Sequence, residues 1–226
     1  MYVNVYLVYS HILIKMFCAI YKSDKDFQLS KSLSWLLRHG AVSEGLEISP
    51  NGYVDVNVIL QHRSIRGKFL RADVERVVHT NNKKRFILRQ NPQNKKLEVK
   101  ATQGHSIDIS DAELLPITKP IYKTVVHGTY MKCWPQIKAQ GLSRMKRRHI
   151  HFAKGTLEDK NIISGLRKNI QIYVFINLQK ALDDGVKFYE SENGVILTSG
   201  KEGVLAPKYF EKVIKINSGM FLYLYK

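Results

Sequence analysis

Carboxylates, cysteines and long apolar runs are all scarce in this chain of 226 residues. It carries 19 Asp and Glu against 36 Lys and Arg, a formal net charge of +17 with a pI near 9.8. An excess of that size points first to a polyanionic partner: RNA, DNA or an anionic membrane surface. The bland alternative is a charge that only keeps the protein dispersed. Two cysteines, Cys18 and Cys133, are too few and too far apart for a disulfide framework or a thiolate metal site, so an intracellular compartment, cytoplasmic or nuclear, is expected. A membrane-spanning helix needs roughly 20 nearly uninterrupted apolar residues. The apolar start of the chain is broken by Asn4, Ser10, His11 and Lys15, and it lacks the basic start and small-residue cleavage site of a secretory signal. No membrane association is expected. Also missing are a Gly-rich phosphate loop ending in Lys-Ser/Thr, three spaced glycines, an internal repeat, and any pair of carboxylates placed for acid–base work.

What is present reads as a foldable chain, 44% hydrophobic, of a length that fits one or two domains. Leu29, Leu33, Leu36 and Leu37 recur at helical spacing with Gly40 as a stop. Asn51-Gly52 predicts a turn, Val56, Ile59 and Leu60 a second helix, and Ala72 to Val78 a third. Arg85-Phe-Ile-Leu and Leu97-Glu-Val-Lys then predict a β-hairpin. Three helices and a hairpin is the order of a winged-helix module. The stretch from Ser110 to Pro120, with two prolines, is the best linker candidate. Beyond it the pattern turns to strands at Thr124–His127, His149–Phe152, Ile170–Ile176, Lys187–Tyr189, Val195–Thr198 and Val213–Ile216, with a hairpin turn at Glu192-Asn193-Gly194. Helices are expected near Trp134–Ala139, Ile162–Leu166 and Gln179–Leu182. The fold class is α+β.

Four short clusters carry chemistry. Arg38-His39 ends the first amphipathic helix, where the macrodipole alone favours cations by about 0.3–1 kcal/mol. Asn82-Lys83-Lys84-Arg85 is a basic turn entering a strand, either a solvated face or a phosphate contact. Thr102-Gln103-Gly104-His105-Ser106 places a glycine among hydrogen-bonding side chains, where backbone can approach a ligand closely. Arg144-Met145-Lys146-Arg147-Arg148 leads into His149-Ile150-His151, whose alternation points both imidazoles to one strand face. Two histidines suggest zinc, but no third ligand stands at useful spacing, so no metal is expected. Arginine and histidine without paired carboxylates suit stabilisation of phosphate charge better than hydrolysis of peptides or sugars.

In order and spacing, Leu29-Ser30-Lys31, Leu36-Leu37-Arg38-His39, Asn51-Gly52-Tyr53, Lys84-Arg85-Phe86, Ala101-Thr102-Gln103-Gly104-His105-Ser106, His127-Gly128-Thr129, His149-Ile150-His151 and Ile163-Ser164-Gly165 resemble the tRNA 2′-phosphotransferase (KptA-type) family over about residues 27 to 217. Residues 1–26 have no counterpart and are read as an N-terminal extension. The resemblance implies a winged-helix RNA-binding lobe over 27–109, a linker over 110–120 and a β-rich ADP-ribosyltransferase-like, NAD-binding lobe over 121–226.

It also implies that NAD⁺ is consumed as a co-substrate. The RNA 2′-phosphate attacks C1″ of the nicotinamide ribose and expels nicotinamide. O2″ then attacks phosphorus, releasing 2′-hydroxyl RNA and ADP-ribose 1″,2″-cyclic phosphate. The family's catalytic quartet maps to Arg38, His39, Arg85 and Arg147, the last chosen because it stands two residues before the His-x-His pair. His127, Gly128, Thr129, His151, Ser164 and Gly165 map to NAD⁺ contacts, with Gly128 giving backbone access, and Gln103 and His105 to the substrate side. Lys84 stands where the family usually has Gln, a polar exchange that leaves Arg85 in place. The partner implied is 2′-phosphorylated tRNA, with a monomer assumed. Two other classes compete: an RNA or DNA ADP-ribosyltransferase that stops after the first step, and a non-enzymatic nucleic-acid-binding protein.

The net charge generates a first prediction. RNA affinity should fall linearly on a log–log scale as salt rises, through release of condensed counterions. Binding that a salt titration leaves unchanged would remove the basic face as the RNA site.

Overall fold

The computed structural model describes residues 23–111, 113–160, 162, 164–216 and 218–224. The reading of the first 17 residues, and Cys18 and Ile163, lie outside them. Helix α1 runs over 23–35 and ends in a π turn, Leu36–Gly40. The anticipated leucines Leu29, Leu33, Leu36 and Leu37 are all fully buried. The extra residue in the last turn shows in the bond from the Ala41 N–H to the Leu36 carbonyl at 2.8 Å, so the helix reaches Gly40 instead of stopping before it.

Strand β1 (Val54–Asp55) leads into α2 (Val56–Gln61), where Asp55 accepts the Asn57 N–H at 2.7 Å as an N-cap. In α3 (Arg71–Thr80) Asp73 takes the Leu70 N–H at 2.9 Å. Arg76 of that helix bonds both Asp26 and Asp73, fastening α3 to α1. The predicted hairpin is β2 (Phe86–Gln90) and β3 (Leu97–Ala101), in register from Phe86↔Ala101 to Gln90↔Leu97. β1 adds to β3 to make the three-stranded sheet β1-β3-β2. Leucines of α1, Ile59, Val74, Val77, Phe86 and Val99 form one apolar core.

The rest of the chain is β4 (Leu115–Ile117), β5 (Val126–Thr129), α4 (Trp134–Gln140), β6 (Leu142–Ser143), β7 (Ile150–Phe152), β8 (Ile172–Ile176), α5 (Leu178–Asp183), β9 (Phe188–Glu190), β10 (Ile196–Thr198), β11 (Val204–Leu205), β12 (Phe210–Lys215) and β13 (Phe221–Leu224). Two four-stranded sheets, β4-β9-β10-β7 and β13-β12-β8-β5, and the pair β11-β6 are all antiparallel. The β5–β7 side joins the large sheets through a bridge between Val126 and Ala153. Phe152, Val174, Phe188, Ile196 and Phe210 fill a second core. The fold is α+β, as expected.

Three departures have local causes. The described residues of 162–166 form no helix, because Gly165 takes φ +98° and packs its α-carbon against Ala153. Residues 110–120 carry strand β4, and Pro116 is tolerated there because β4 lies at a sheet edge. The short strands β1, β6 and β11 have too few residues for a period-2 pattern to show. Among the described residues, no helix is long and apolar enough to cross a membrane.

Deleting a fully buried leucine of α1 should cost about 2–5 kcal/mol. Leu33→Ala is therefore expected to shift the urea midpoint strongly, while Lys31→Ala on the exposed face stays within about 0.5 kcal/mol. Equal, small shifts in both variants would show that α1 does not anchor the first core.

Candidate active site

The π turn at the end of α1 projects Arg38 and His39 away from the buried leucine stripe. The Arg38 carbonyl is taken by the N–H of Ser106 at 2.9 Å and of Ile107 at 3.4 Å, so the loop after β3 is stitched to the helix end. The Arg38 side chain lies across Gly104: a Cβ there would stand 3.5 Å from Cδ and 3.6 Å from Nε, and Gly104 has φ +91°. The close approach anticipated at this glycine is therefore made by the chain's own guanidinium. His39 Nδ1 stands 2.8 Å from Ser106 Oγ.

Arg85 ends the basic turn before β2. Its carbonyl accepts the Thr102 N–H at 2.9 Å, and Asn81 Oδ1 accepts from its backbone N–H at 3.2 Å and from Nη1 at 3.4 Å. The turn also grips the second core. Lys83 Nζ donates to the Leu166 carbonyl at 2.9 Å, and Asn193 Nδ2 donates to the Lys83 carbonyl at 3.0 Å. Asn193 can do this because the predicted turn forms, with the Gly194 N–H on the Ser191 carbonyl at 2.8 Å.

The loop between β6 and β7 gives its three arginines different surroundings. Arg144 is exposed, and its Nη1 donates to the Arg147 carbonyl at 2.6 Å. Arg148 is paired with Asp108 and Asp111, and its N–H reaches the His105 carbonyl at 2.9 Å. Arg147 alone is half-buried without a carboxylate partner among the described residues.

Arg147 and His39 meet at a cavity of about 690 Å³ lined also by Ser106, His127, His149 and His151, with Arg144, Lys146 and Arg167 on its walls; Arg38 and Arg85 are not among its lining residues. That volume lies in the range of small-molecule and cofactor sites. Burial and the neighbouring Arg147 and Arg85 push Arg38 down to about 10. Burial lowers Arg85, and burial with nearby Arg167 lowers Arg147. Arg38 Nε and Nη2 are buried without an acceptor among the described residues. Crowded, desolvated guanidiniums without carboxylates are stabilised by an anion with several acceptor oxygens, and a phosphate is such a group. Burial, then Arg147 and Arg38, lowers His39 and favours its neutral ring.

The other sequence-derived residues divide. His127 lines the cavity with Nδ1 on the His151 carbonyl at 2.9 Å, and His151 adds a buried Nε2 without a partner. Gly128 and Thr129 lie in β5 beneath it. A Cβ on Gly128 would meet Ile170 and Leu166 at 2.5 and 2.8 Å, so those side chains leave no room for one, and Thr129 is buried with its carbonyl on the Gln171 N–H. Ser164 lines two other hollows, of about 270 and 380 Å³. Gln103 and His105 line a small void of about 40 Å³ between the two cores. Among the described residues, no three His, Cys, Asp or Glu side chains group as metal ligands. Sequence reasoning did not single out Ser106 or Arg167. Ser106 lay within a quoted motif, whereas nothing in the local pattern marks Arg167.

Burial, and then Arg38, drive His105 down to about 3, against about 6.5 in an unfolded chain. This depressed value adds stability above pH 6.5 that is lost as pH falls toward 3. His105→Gln is expected to flatten the stability–pH slope between pH 6 and 4 by one proton, about 1.4 kcal/mol per pH unit. An unchanged slope would show that His105 titrates normally.

Comparison with known proteins gives the family. The family model described as RNA 2′-phosphotransferase, Tpt1 / KptA family, matches residues 24–200. The tRNA 2′-phosphotransferase 1 of Danio rerio is 45% identical over 199 residues, 86% of this chain and 88% of that one. Its Homo sapiens counterpart is 45% identical over 198 residues, 86% and 78% of the two chains. The tRNA 2′-phosphotransferase of Saccharomyces cerevisiae is 38% identical over 186 residues, 79% and 80%. With the family model matching residues 24–200 and a relative 45% identical over 86% of the chain, the chain belongs to the Tpt1 / KptA family of RNA 2′-phosphotransferases.

Proposed function

We propose that this protein is a tRNA 2′-phosphotransferase that removes the splice-junction 2′-phosphate from ligated tRNA, with NAD⁺ as the consumed acceptor. The observation that carries the reading is the convergence of Arg38, Arg85 and Arg147, without carboxylate partners among the described residues, beside His39 and a cavity of cofactor size. The RNA 2′-phosphate displaces nicotinamide from C1″, and O2″ then displaces the RNA 2′-oxygen from phosphorus, giving nicotinamide, 2′-hydroxyl RNA and ADP-ribose 1″,2″-cyclic phosphate.

In this reading the three guanidiniums hold the phosphate and neutralise charge that builds on it, a task suited to their planar forks. His39 supplies a hydrogen bond or handles a proton near the phosphate. NAD⁺ fits the walls made by His127 and His151, whose buried Nε2 has an unused hydrogen-bonding position. Gly128, Thr129, Ser164 and Gly165 line or support the rest of the dinucleotide's path, while Gln103 and His105 stabilise the junction on the RNA side. Residues 27–109 form a winged-helix RNA-binding lobe and 121–226 an ADP-ribosyltransferase-like lobe, joined through 110–120. The enzyme works as a monomer in the cytoplasm or nucleus.

The test is a short RNA with one internal 2′-phosphate, incubated with purified protein with and without NAD⁺. Loss of the phosphate only with NAD⁺, and release of the cyclic phosphate, is the expected result. Arg85→Ala should slow turnover by roughly 10²–10³-fold and accumulate ADP-ribosylated RNA. Protein that binds the RNA and leaves it unchanged under both conditions would favour a binding module. Wild-type protein that stops at ADP-ribosylated RNA would favour an ADP-ribosyltransferase.

A further inference from the structure

Ser106 stands where the loop after β3 crosses the end of α1, and its hydroxyl has two neighbours. His39 Nδ1 lies at 2.8 Å, and the Arg38 carbonyl at 3.4 Å. A serine hydroxyl has one proton to give. The Arg38 carbonyl already holds the Ser106 N–H at 2.9 Å and the Ile107 N–H at 3.4 Å, so it has little need of the hydroxyl. Were Nδ1–H to donate into Oγ instead, the hydroxyl proton would be left to that already occupied carbonyl at 3.4 Å, whereas given to Nδ1 it makes the 2.8 Å contact. Oγ–H then donates to Nδ1, and in the neutral ring the remaining proton must sit on Nε2, the nitrogen that Ser106 leaves free.

From this geometry we infer that Ser106 is a positioning residue that locks His39 in the Nε2–H tautomer, making it a hydrogen-bond donor to the phosphate and not a general base. The inference rests on the functional reading above for its substrate and decides between the two roles open to His39 there. Both residues line the cavity, and burial together with Arg147 and Arg38 lowers His39, which keeps the ring neutral in the free protein. A neutral donor suits a site already crowded with guanidiniums: it adds a directed N–H without a fourth positive charge. The backbone bonds of Ser106 hold whatever its side chain, so the helix end and the loop stay joined when the hydroxyl is removed.

The test uses ¹⁵N-histidine-labelled, ligand-free protein near neutral pH, with the His39 signals assigned through His39→Gln. In neutral imidazole the nitrogen without a proton resonates far from the one that bears it. The expected spectrum shows Nδ1 unprotonated and Nε2 protonated. Ser106→Ala should move His39 toward a tautomer mixture and lower kcat about tenfold with little change in KM. Ser106→Thr, which keeps a hydroxyl, should restore both. A wild-type Nδ1–H tautomer would overturn the inference and return His39 to the base role, as would a Ser106→Ala protein with unchanged spectrum and kcat. Inactive wild-type protein would sink the functional reading alone, because the spectrum of the free protein decides the tautomer by itself.

Discussion

Three like charges gathered around Arg38 and partly withdrawn from water are the constraint on which this structure turns. Arg38, Arg85 and Arg147 come from a helix end, a turn before a hairpin and a loop between strands of the second core. The mutual influence of Arg147 and Arg85 on Arg38, added to burial, is a destabilising arrangement in the free protein. It persists because the surrounding backbone is over-determined. Arg38 is fixed by two N–H donors on its carbonyl, Arg85 by Thr102 and Asn81, and Arg147 by a loop tied to Gly203 and to Arg144. Under the proposed function, electrostatic stabilisation of the phosphate would be stored in this way before the ligand arrives.

The joint between the cores serves the same end. Lys83 and Asn193 hold the basic turn to the second core, Arg148 ties the β6–β7 loop to His105, and Lys100 reaches Glu113 and Glu192. Asp108 and Asp111 are taken up by Arg148, and Asp111 also stands 3.5 Å from His149 Nε2 at the edge of the cavity. In a chain with 19 acids and 36 Lys and Arg, that placement leaves the cavity walls free of negative side chains. Arg148 and Arg147 are neighbours in sequence with different surroundings: one is paired with carboxylates in the joint and the other has no carboxylate partner among the described residues.

Small residues give the arginines room. Gly104, with φ +91°, lets Arg38 lie flat across the loop, and Gly40 brings its backbone against the Trp35 ring where any Cβ would stand 2.5 Å from it. The glycine in β5 also has a packing use. Its missing side chain seats Ile170 and Leu166, and through Leu166 it supports the carbonyl that Lys83 grips. Packing in one core thereby bears on the position of a turn in the other.

The local sequence determined a good deal. Leucine spacing defined α1, alternation and turn residues defined the hairpin and most of the second-core strands, and ordered motifs pointed to the family and to Arg38, His39, Arg85 and Arg147. These features are local because hydrogen-bonded periodicity and turn preferences act over a few residues. Tertiary structure decided the rest. The π turn depends on an i→i+5 bond made as the helix meets the loop after β3, and β4 exists only because β9 offers an edge. The separation of Arg147 from Arg144 and Arg148, and the meeting of Ser106 with His39 across 67 residues of chain, follow from partners distant in sequence. Coulombic and hydrogen-bond terms depend on distance in space, and no spacing along the chain encodes it.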